Sequence, residues 1–389
     1  MNRKEFLTHF ALAGTAAMMI PALAKANVFG FGLGKKVKIG IIGCGSVSGV
    51  YLPHLTKSPY VEVVSVCDIK PERAKVRAEE FKVPNQYPHI DQMLAGVDFD
   101  LMVNLTDMQE HGRLNKLAIL KGKHIWSEKP LANSYKEGHA LLELAKKQGV
   151  KIWGAPAVVN SPQFAFMAKQ INDGKLGTVA AAHAHYGHLG PTWSAFFYED
   201  LGGSLPDLGV YNLTTLSGLL GPVKSVMAML NILTPERTVD DKGKIKVVAE
   251  DNASVLMEHS SGAISQVMCG FNYFDPYGHQ GTGQDKPTIS IVGTKGAMHL
   301  IGNDWMPFAV EMATIDHEEP QRFATKTDEY VWQEGASEIS QSLLEGYDPL
   351  INVEHSLHVL EIIEAARKSQ KEGKRIKLES VFPYPVIKQ

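Results

Sequence analysis

The chain has 389 residues, too many for one ordinary hydrophobic core, so two domains are the first expectation. A hydrophobic fraction of 44% and a charged fraction of 21% are those of a soluble globular protein, and a formal net charge of -3 gives no reason to expect nucleic acid or an anionic membrane as partner. Three cysteines, Cys44, Cys67 and Cys269, make no disulfide framework or metal cluster; buried thiols are expected, although a Cys44–Cys67 bridge is conceivable at the ends of neighbouring strands.

The first residues read as an export signal. Met1 to Phe6 carries Arg3 and Lys4, Phe10 to Leu23 is apolar and small, and Ala24-Lys25-Ala26 offers a cleavage site before Asn27. The run Asn2-Arg3-Lys4-Glu5-Phe6-Leu7 is similar to a twin-arginine signal with Lys4 in place of the second arginine. A periplasmic or otherwise exported protein is expected, the alternative being an N-terminal helix retained in the cytoplasm. Residues 27–36, with Gly30, Gly32 and Gly34, read as a linker, and no later apolar run is long enough to span a bilayer.

A strand, a glycine turn and a helix start follow in close order. Val37, Ile39, Ile41 and Ile42 suit a strand buried in a parallel sheet, Gly43 and Gly45 follow at once, and a helical pattern begins near Val47. Backbone N–H groups around Gly43, Gly45, Ser46 and Val47 would converge with the helix dipole on a pyrophosphate. Ser48 stands where the third glycine of G-x-G-x-x-G would be. A second strand, Val61 to Cys67, ends at Asp68, whose carboxylate would accept both hydroxyls of an adenosine ribose and repel a 2′-phosphate. The expected cofactor is therefore NAD rather than NADP, with Lys70 and Arg73 as the opposing signal.

The rest of the first domain alternates helices and strands in the doubly wound manner. Helices are expected from Pro71 to Phe81, Ile90 to Leu94, Gln109 to Lys121 and Ser134 to Gln148, the last two closed by Gly122 and Gly149. Strands are expected at Asp100 to Leu105, His124 to Ser127 and Lys151 to Trp153. The strand at His124 delivers Glu128-Lys129-Pro130.

Ile41-Ile42-Gly43-Cys44-Gly45, Asp68 and the run Gly122-Lys123-His124-Ile125-Trp126-Ser127-Glu128-Lys129-Pro130-Leu131-Ala132 together resemble one family. It is the glucose–fructose oxidoreductase / inositol dehydrogenase / rhizopine-catabolism (Gfo/Idh/MocA) family of nicotinamide-dependent sugar oxidoreductases. The resemblance covers nearly all of residues 37–378. It implies an α/β chain, with a doubly wound Rossmann domain over 37–155 and an α/β domain over 156–389. The second domain would carry the substrate site on a large open, mostly antiparallel sheet, and a C-terminal helix near 352–369 would lead back towards the first domain. Cofactor contacts from Thr106, His111, Glu128, Lys129 and Pro130 are implied, as are a Pro130 peptide that is often cis and a homodimer or homotetramer. Where the family has Thr-Pro-Asn-x-x-His, this chain reads Thr106-Asp107-Met108-Gln109-Glu110-His111: the histidine matches and Pro-Asn does not.

In the second domain, helices are expected at Pro162 to Asp173, from the Gly202–Tyr211 stretch to Leu220, and at Asn352 to Ser369. Strands are expected at Val179 to Tyr186, Val223 to Leu230, Ala253 to Met257, Ala263 to Phe271, Thr288 to Val292, Ala297 to Ile301 and Arg375 to Leu378. Glu236 to Ala249 is a polar insertion in a hairpin-like setting.

Oxidising a secondary alcohol requires a base beside the hydroxyl and a group that steadies the developing oxyanion. Lys129, at the C-terminal edge of the parallel sheet, suits that place, and the charge of oxidised nicotinamide with partial desolvation would favour its neutral amine. Asp207 and Tyr211 are four residues apart and share one helix face. The family pattern Asp-x-Gly-x-His has a catalytic histidine where this chain has Tyr211, a variant known from the glucose–fructose oxidoreductase branch. The implied roles are Lys129 as acid/base, Asp207 as orienter, and Tyr211 as a proton relay that requires a lowered pKa. His183, His185 and His188 read with Trp193 as a sugar-facing cluster rather than a metal site, with ordinary sheet packing as the alternative. Asn160 stands near where many relatives carry an arginine and would alter the substrate. His279, in the Tyr277-to-Gly283 loop, is either a lid residue or solvated.

The expected activity is oxidation of a sugar or glycoside hydroxyl, such as C3 of a glucoside, with NAD. An exported enzyme would have to load that NAD before export and hold it through many turnovers. The alternative is an NAD-dependent glycosidase that oxidises, eliminates the aglycone, adds water and reduces. A sugar-binding protein with a dead site is disfavoured by the presence of Lys129, Asp207 and Tyr211 together.

Overall fold

The computed structural model describes residues 34–276, 286–325 and 330–387. The expected leader, the linker before Gly34 and the loop with His279 lie outside the described residues. Strands β1 (Val37–Ile42), β2 (Val61–Cys67), β3 (Asn85–Tyr87), β4 (Leu101–Asn104), β5 (His124–Ser127) and β6 (Ile152–Gly154) form a sheet in the order β3-β2-β1-β4-β5-β6. Every pairing in it is parallel. Helices cover both faces of such a sheet, which is why its strands read as near-continuous apolar runs. The strand order reverses between β1 and β4, the place where open α/β sheets bind ligands.

The helices of this domain are α1 (Ser48–Leu55), α2 (Pro71–Phe81), α3 (Ile90–Ala95), α4 (His111–Leu120) and α5 (Tyr135–Gln148). Their ends follow local chemistry: Pro71 opens α2, and the Ser134 hydroxyl accepts from Glu137 N before α5. Gly149 closes α5 at φ 70°, a backbone conformation that costs glycine little. β3 has no sequence signature, because three residues of Asn-Gln-Tyr are too few to show alternation.

The second domain contributes α6 (Pro162–Asn172), β7 (Val179–Gly187), α7 (Val210–Leu220), β8 (Val223–Asn231) and the hairpin β9 (Glu236–Val239) and β10 (Gly243–Lys246). After these come β11 (Asn252–His259), β12 (Ile264–Gly270), β13 (Pro287–Gly293), β14 (Gly296–Asn303), β15 (Met306–Thr314) and β16 (His317–Phe323). Helices α8 (Gly335–Glu345) and α9 (Val353–Glu372) and strand β17 (Ile376–Lys377) end the chain. Its nine-stranded sheet runs β16-β15-β14-β13-β7-β12-β11-β8-β17. Only β7 and β12 pair in parallel; the other pairings are antiparallel. β15, β16 and α8 go beyond the sequence expectation. β16, His-Glu-Glu-Pro-Gln-Arg-Phe, is almost wholly exposed at the sheet edge, where Pro320 and charge guard against further pairing and hide the strand from a hydrophobic pattern.

One face of this sheet takes α7, which is buried nearly all round, and α9 packs against β8 as well as against α5 and β6 of the first domain. Side chains of α9 enter both hydrophobic clusters of the protein, Leu357 and Leu360 one and Ile362 and Ile363 the other. Leu205–Gly209 departs from the expected single helix: it is a π-helical turn that feeds α7, so Asp207 lies one turn before the α-helix that holds Tyr211. All three cysteines are free and buried.

Candidate active site

The glycine turn is shaped by close approach. Gly43 sits at φ 93°, and a Cβ there would lie 2.5 Å from the carbonyl of Leu105 at the end of β4, so no larger residue fits. Asp68 is buried and already held: Cys44 N donates to Oδ2 and Lys70 N to Oδ1, both at 2.8 Å. That pairing fixes the carboxylate at the edge of the turn. Ser48 does more than pack. Its hydroxyl donates to the Gly45 carbonyl at 2.6 Å and accepts from Arg77 Nε at 3.0 Å, while Arg77 Nη2 donates to the same carbonyl at 3.3 Å. With its carbonyl so engaged, the turn leaves the N–H groups of Gly45, Ser46 and Val47 without an acceptor among the described residues. Arg77 escapes a reading by motif, since nothing in the spacing ties a residue of α2 to the turn.

The loops after β4 and β5 are tied together. Asn104 Oδ1 accepts from Thr106 Oγ1 at 2.7 Å, its amide donates to Asn115 Oδ1, and Asn115 Nδ2 donates to Ser127 Oγ and to the Leu131 carbonyl. His111 is buried with Nδ1 2.7 Å from the Pro130 carbonyl and Nε2 3.0 Å from the Thr106 carbonyl. Burial lowers its pKa and the two carbonyls oppose that, so this ring braces both loops. The Lys129–Pro130 peptide is cis. Glu128 is buried too, accepting from Tyr51 Oη at 2.7 Å and from Lys129 N at 3.1 Å, with Trp126 Nε1 donating to the phenol in turn. Asn104, Asn115 and Tyr51 are structural partners that no motif signalled.

Across from these loops stand Asp207 and Tyr211. Lys129 Nζ donates to Asp207 Oδ1 at 2.6 Å and to the Asp207 carbonyl at 2.8 Å, and lies 5.2 Å from the centre of the Tyr211 ring. An ammonium over a phenol face is attractive. The sequence-based requirement for a lowered Tyr211 pKa is not what the surroundings supply. Burial, then Glu128, Asp207 and Asp304, push the phenol well above its ordinary value of 10, so it stays protonated. Asp304, in the turn between β14 and β15, accepts from Asn212 Nδ2 and Thr215 Oγ1 of α7, both at 2.9 Å, and anchors the helix beneath Tyr211.

These groups line one cleft of about 710 Å³, with Ser46, Val47, Thr106, His111, Glu128 and Lys129 on the Rossmann side and Tyr186, His188, Trp193, Asp207 and Tyr211 on the other. The expected histidine cluster is split. Along β7, Ala184 and Tyr186 are buried while His183 and His185 fall on the opposite, outer face, as strand alternation demands. His188 alone faces the cleft, its Nδ1 accepting from Gly190 N. Asn160 is also elsewhere: its amide donates to Glu338 of α8, and it is absent from the cleft lining. Among the described residues no three His, Cys, Asp or Glu side chains are grouped to hold a metal, and no helix is long and apolar enough to cross a membrane.

The arrangement fits a dinucleotide. Gly45, Ser46 and Val47 present free N–H groups beside the α1 N-terminus, while Gly43 N donates to the Cys67 carbonyl at 2.9 Å; Asp68 stands at the end of the next strand, and the cleft continues to Lys129. Residues 37–155 match the model for the oxidoreductase family with an NAD-binding Rossmann fold, and residues 164–299 match the GFO/IDH/MocA C-terminal domain. The chain is 25% identical over 342 residues to mouse trans-1,2-dihydrobenzene-1,2-diol dehydrogenase, covering 85% of this chain and 96% of that one. Its fold is shared with levoglucosan dehydrogenase in complex with NADH and L-sorbose (TM-score 0.76, 19% identity, 89% and 100% of the two chains covered). It is shared as well with the aldose-aldose oxidoreductase of Caulobacter crescentus (TM-score 0.75, 20% identity, 88% and 100% covered). The chain belongs to the Gfo/Idh/MocA oxidoreductases and has that family's NAD-binding Rossmann domain and C-terminal domain.

Proposed function

We propose that this protein oxidises a secondary hydroxyl of a sugar or glycoside, C3 of a glucoside being the first position to test. The observation that carries the reading is the Lys129–Asp207 pair, set in the cleft that runs on to the free N–H groups of the glycine turn. The names of the relatives support it, since levoglucosan dehydrogenase and aldose-aldose oxidoreductase are named for sugars and the mouse enzyme for a ring diol. Bound NAD supplies the hydride acceptor. Gly45, Ser46 and Val47 would hold its pyrophosphate, and Asp68 its adenosine ribose.

The chain's own task is to move the proton. Lys129 Nζ is the group proposed to take the substrate's hydroxyl proton as the hydride leaves, with the Asp207 carboxylate 2.6 Å away as its electrostatic partner. The Asp207 carbonyl aims that nitrogen, and Tyr211, kept protonated, donates a hydrogen bond rather than relaying a proton.

The expected leader makes this an exported enzyme whose NAD is resident, so tight retention of NAD through purification is part of the reading. A second copy of the chain is expected on the outer face of the nine-stranded sheet. There Met227 and Met229 of β8 and Ile264 and Met268 of β12 are exposed on one side, an apolar patch that water disfavours. Sedimentation of wild type against Met229→Glu tests that contact.

The deciding experiment incubates the mature protein with a panel of methyl and aryl glycosides, follows reduced-nicotinamide absorbance and weighs the products. A keto-glycoside lighter by two hydrogens is expected. Free sugar and aglycone without net redox change would point instead to transient oxidation and elimination, and no reaction with any glycoside would overturn the proposal.

A further inference from the structure

The cleft is lined by chemically unlike groups. Lys129, Asp207 and His188 furnish charge and hydrogen-bonding groups, whereas Leu189, Trp193 and Phe274 add an exposed apolar rim. These three apolar side chains are 62%, 44% and 78% exposed. Apolar surface gathered at the mouth of a polar site is a mark of ligand contact, because it gains most when something apolar covers it.

Trp193 is presented rigidly. Its ring meets Phe197 edge-on at 4.7 Å and Phe196 at 5.5 Å. The segment that carries it is pinned on two sides. Gln109 of the first domain donates to the Phe196 carbonyl at 2.9 Å, and Asp241, at the turn of the β9–β10 hairpin, accepts from Ser194 Oγ at 2.8 Å and Ala195 N at 3.0 Å. Asp240 N donates to the Thr192 carbonyl at 2.8 Å, and Lys242 pairs with Glu199. The polar insertion thus braces an aromatic wall. A rigid, half-exposed indole is suited to stacking against a flat or ring-shaped apolar group.

We propose that this rim is a subsite for the apolar aglycone of a glycoside, an aromatic one above all, while the sugar ring lies at Lys129 and Asp207. The inference rests on the glycoside reading above and narrows its substrate class. It also separates the chain's substrates from free monosaccharides, which have nothing to place on the rim.

The test measures binding to the NADH-loaded full chain, in which the alcohol cannot be oxidised, by quenching of tryptophan fluorescence checked by calorimetry. Phenyl β-D-glucopyranoside is expected to bind about tenfold tighter than methyl β-D-glucopyranoside. In Trp193→Ala the ratio should fall to within about twofold of one, while Trp193→Tyr, which keeps a ring, should preserve most of it. Thermal melting of both variants separates loss of the platform from loss of the fold, and Phe274→Ala supplies a second, independent reduction of the ratio. Equal binding of the two glucosides by wild type, or an undiminished ratio in folded Trp193→Ala, overturns the subsite and leaves the sugar reading standing. Binding of neither glucoside overturns both.

Discussion

Lys129 Nζ donates to both the carboxylate and the backbone carbonyl of Asp207, at 2.6 and 2.8 Å, so one residue of the second domain sets the aim of the lysine delivered by the first. Two hydrogen-bonding positions around Nζ are taken up in that grip, and one is left for a substrate oxygen. General acid–base catalysis is worth about 10²- to 10⁴-fold. Lys129→Ala should therefore lower the single-turnover rate of nicotinamide reduction by about 10³-fold, and Asp207→Asn, which keeps the carbonyl but not the charge, by about 10²-fold. A Lys129→Ala rate within tenfold of wild type would remove the lysine from the chemistry.

Tyr211 gives a sharper discrimination. Its phenol is pushed above 10 by burial and neighbouring carboxylates, which predicts a donor rather than a relay. Tyr211→Phe keeps the ring beneath Lys129 and should cost about tenfold in rate, the scale of one hydrogen bond. The alkaline side of the pH–rate profile should be unchanged. A loss near 10³-fold with a displaced alkaline limb would restore the proton-relay role.

Arg77 holds the Gly45 carbonyl directly and through Ser48. Removing this clamp frees the turn to rotate its N–H groups away from a pyrophosphate. Arg77→Ala should speed NADH release about tenfold, equivalent to about 1.4 kcal/mol, as read by displacement of bound NADH fluorescence with excess NAD. Unaltered release would show that the turn keeps its shape without the guanidinium.

Acid should unfold the protein steeply. His259, His355 and His358 are buried neutral in hydrogen-bonded settings, and burial lowers their pKa values from 6.5 to about 4, about 3 and about 4. A lowered histidine pKa means that the unfolded chain takes up the proton first, so stability is lost as pH falls below 6.5. Asp304 works the other way: burial raises its pKa from 3.8 to about 6, so its folded form gains stability as pH falls from 6 towards 4. Among these four groups three protons oppose one, and between pH 6 and 4.5 their combined contribution is a loss of about 2 to 3 kcal/mol per pH unit. Urea melts at pH 6.0, 5.5 and 5.0 measure it, and Asp304→Asn should steepen the slope by about one proton.

Much of the scaffold was legible in the chain itself. The apolar β-branched run before Gly43, the proline and glycine punctuation of α2 and α5 and the carboxylate after β2 are local signals whose physical meaning does not depend on the rest of the fold. Glu128-Lys129-Pro130 and Asp207 with Tyr211 were legible for the same reason, each being a short run with its own chemistry. Period-two alternation also held the information that His183 and His185 share a face, but not which face. The register of β7 between β12 and β13 decided that, turning both away from the cleft and leaving Tyr186 and His188 to line it. Asn160 went to Glu338 because α8, which has no signature as a partner, packs there. The direction of the Tyr211 shift also depended on tertiary structure, since Glu128 lies 83 residues before it and Asp304 93 residues after it. Local sequence determined the kind of domain, the cofactor and the chemical groups at the site; only long-range packing decided which of those groups face one another, because burial and Coulomb interactions act through space rather than along the chain.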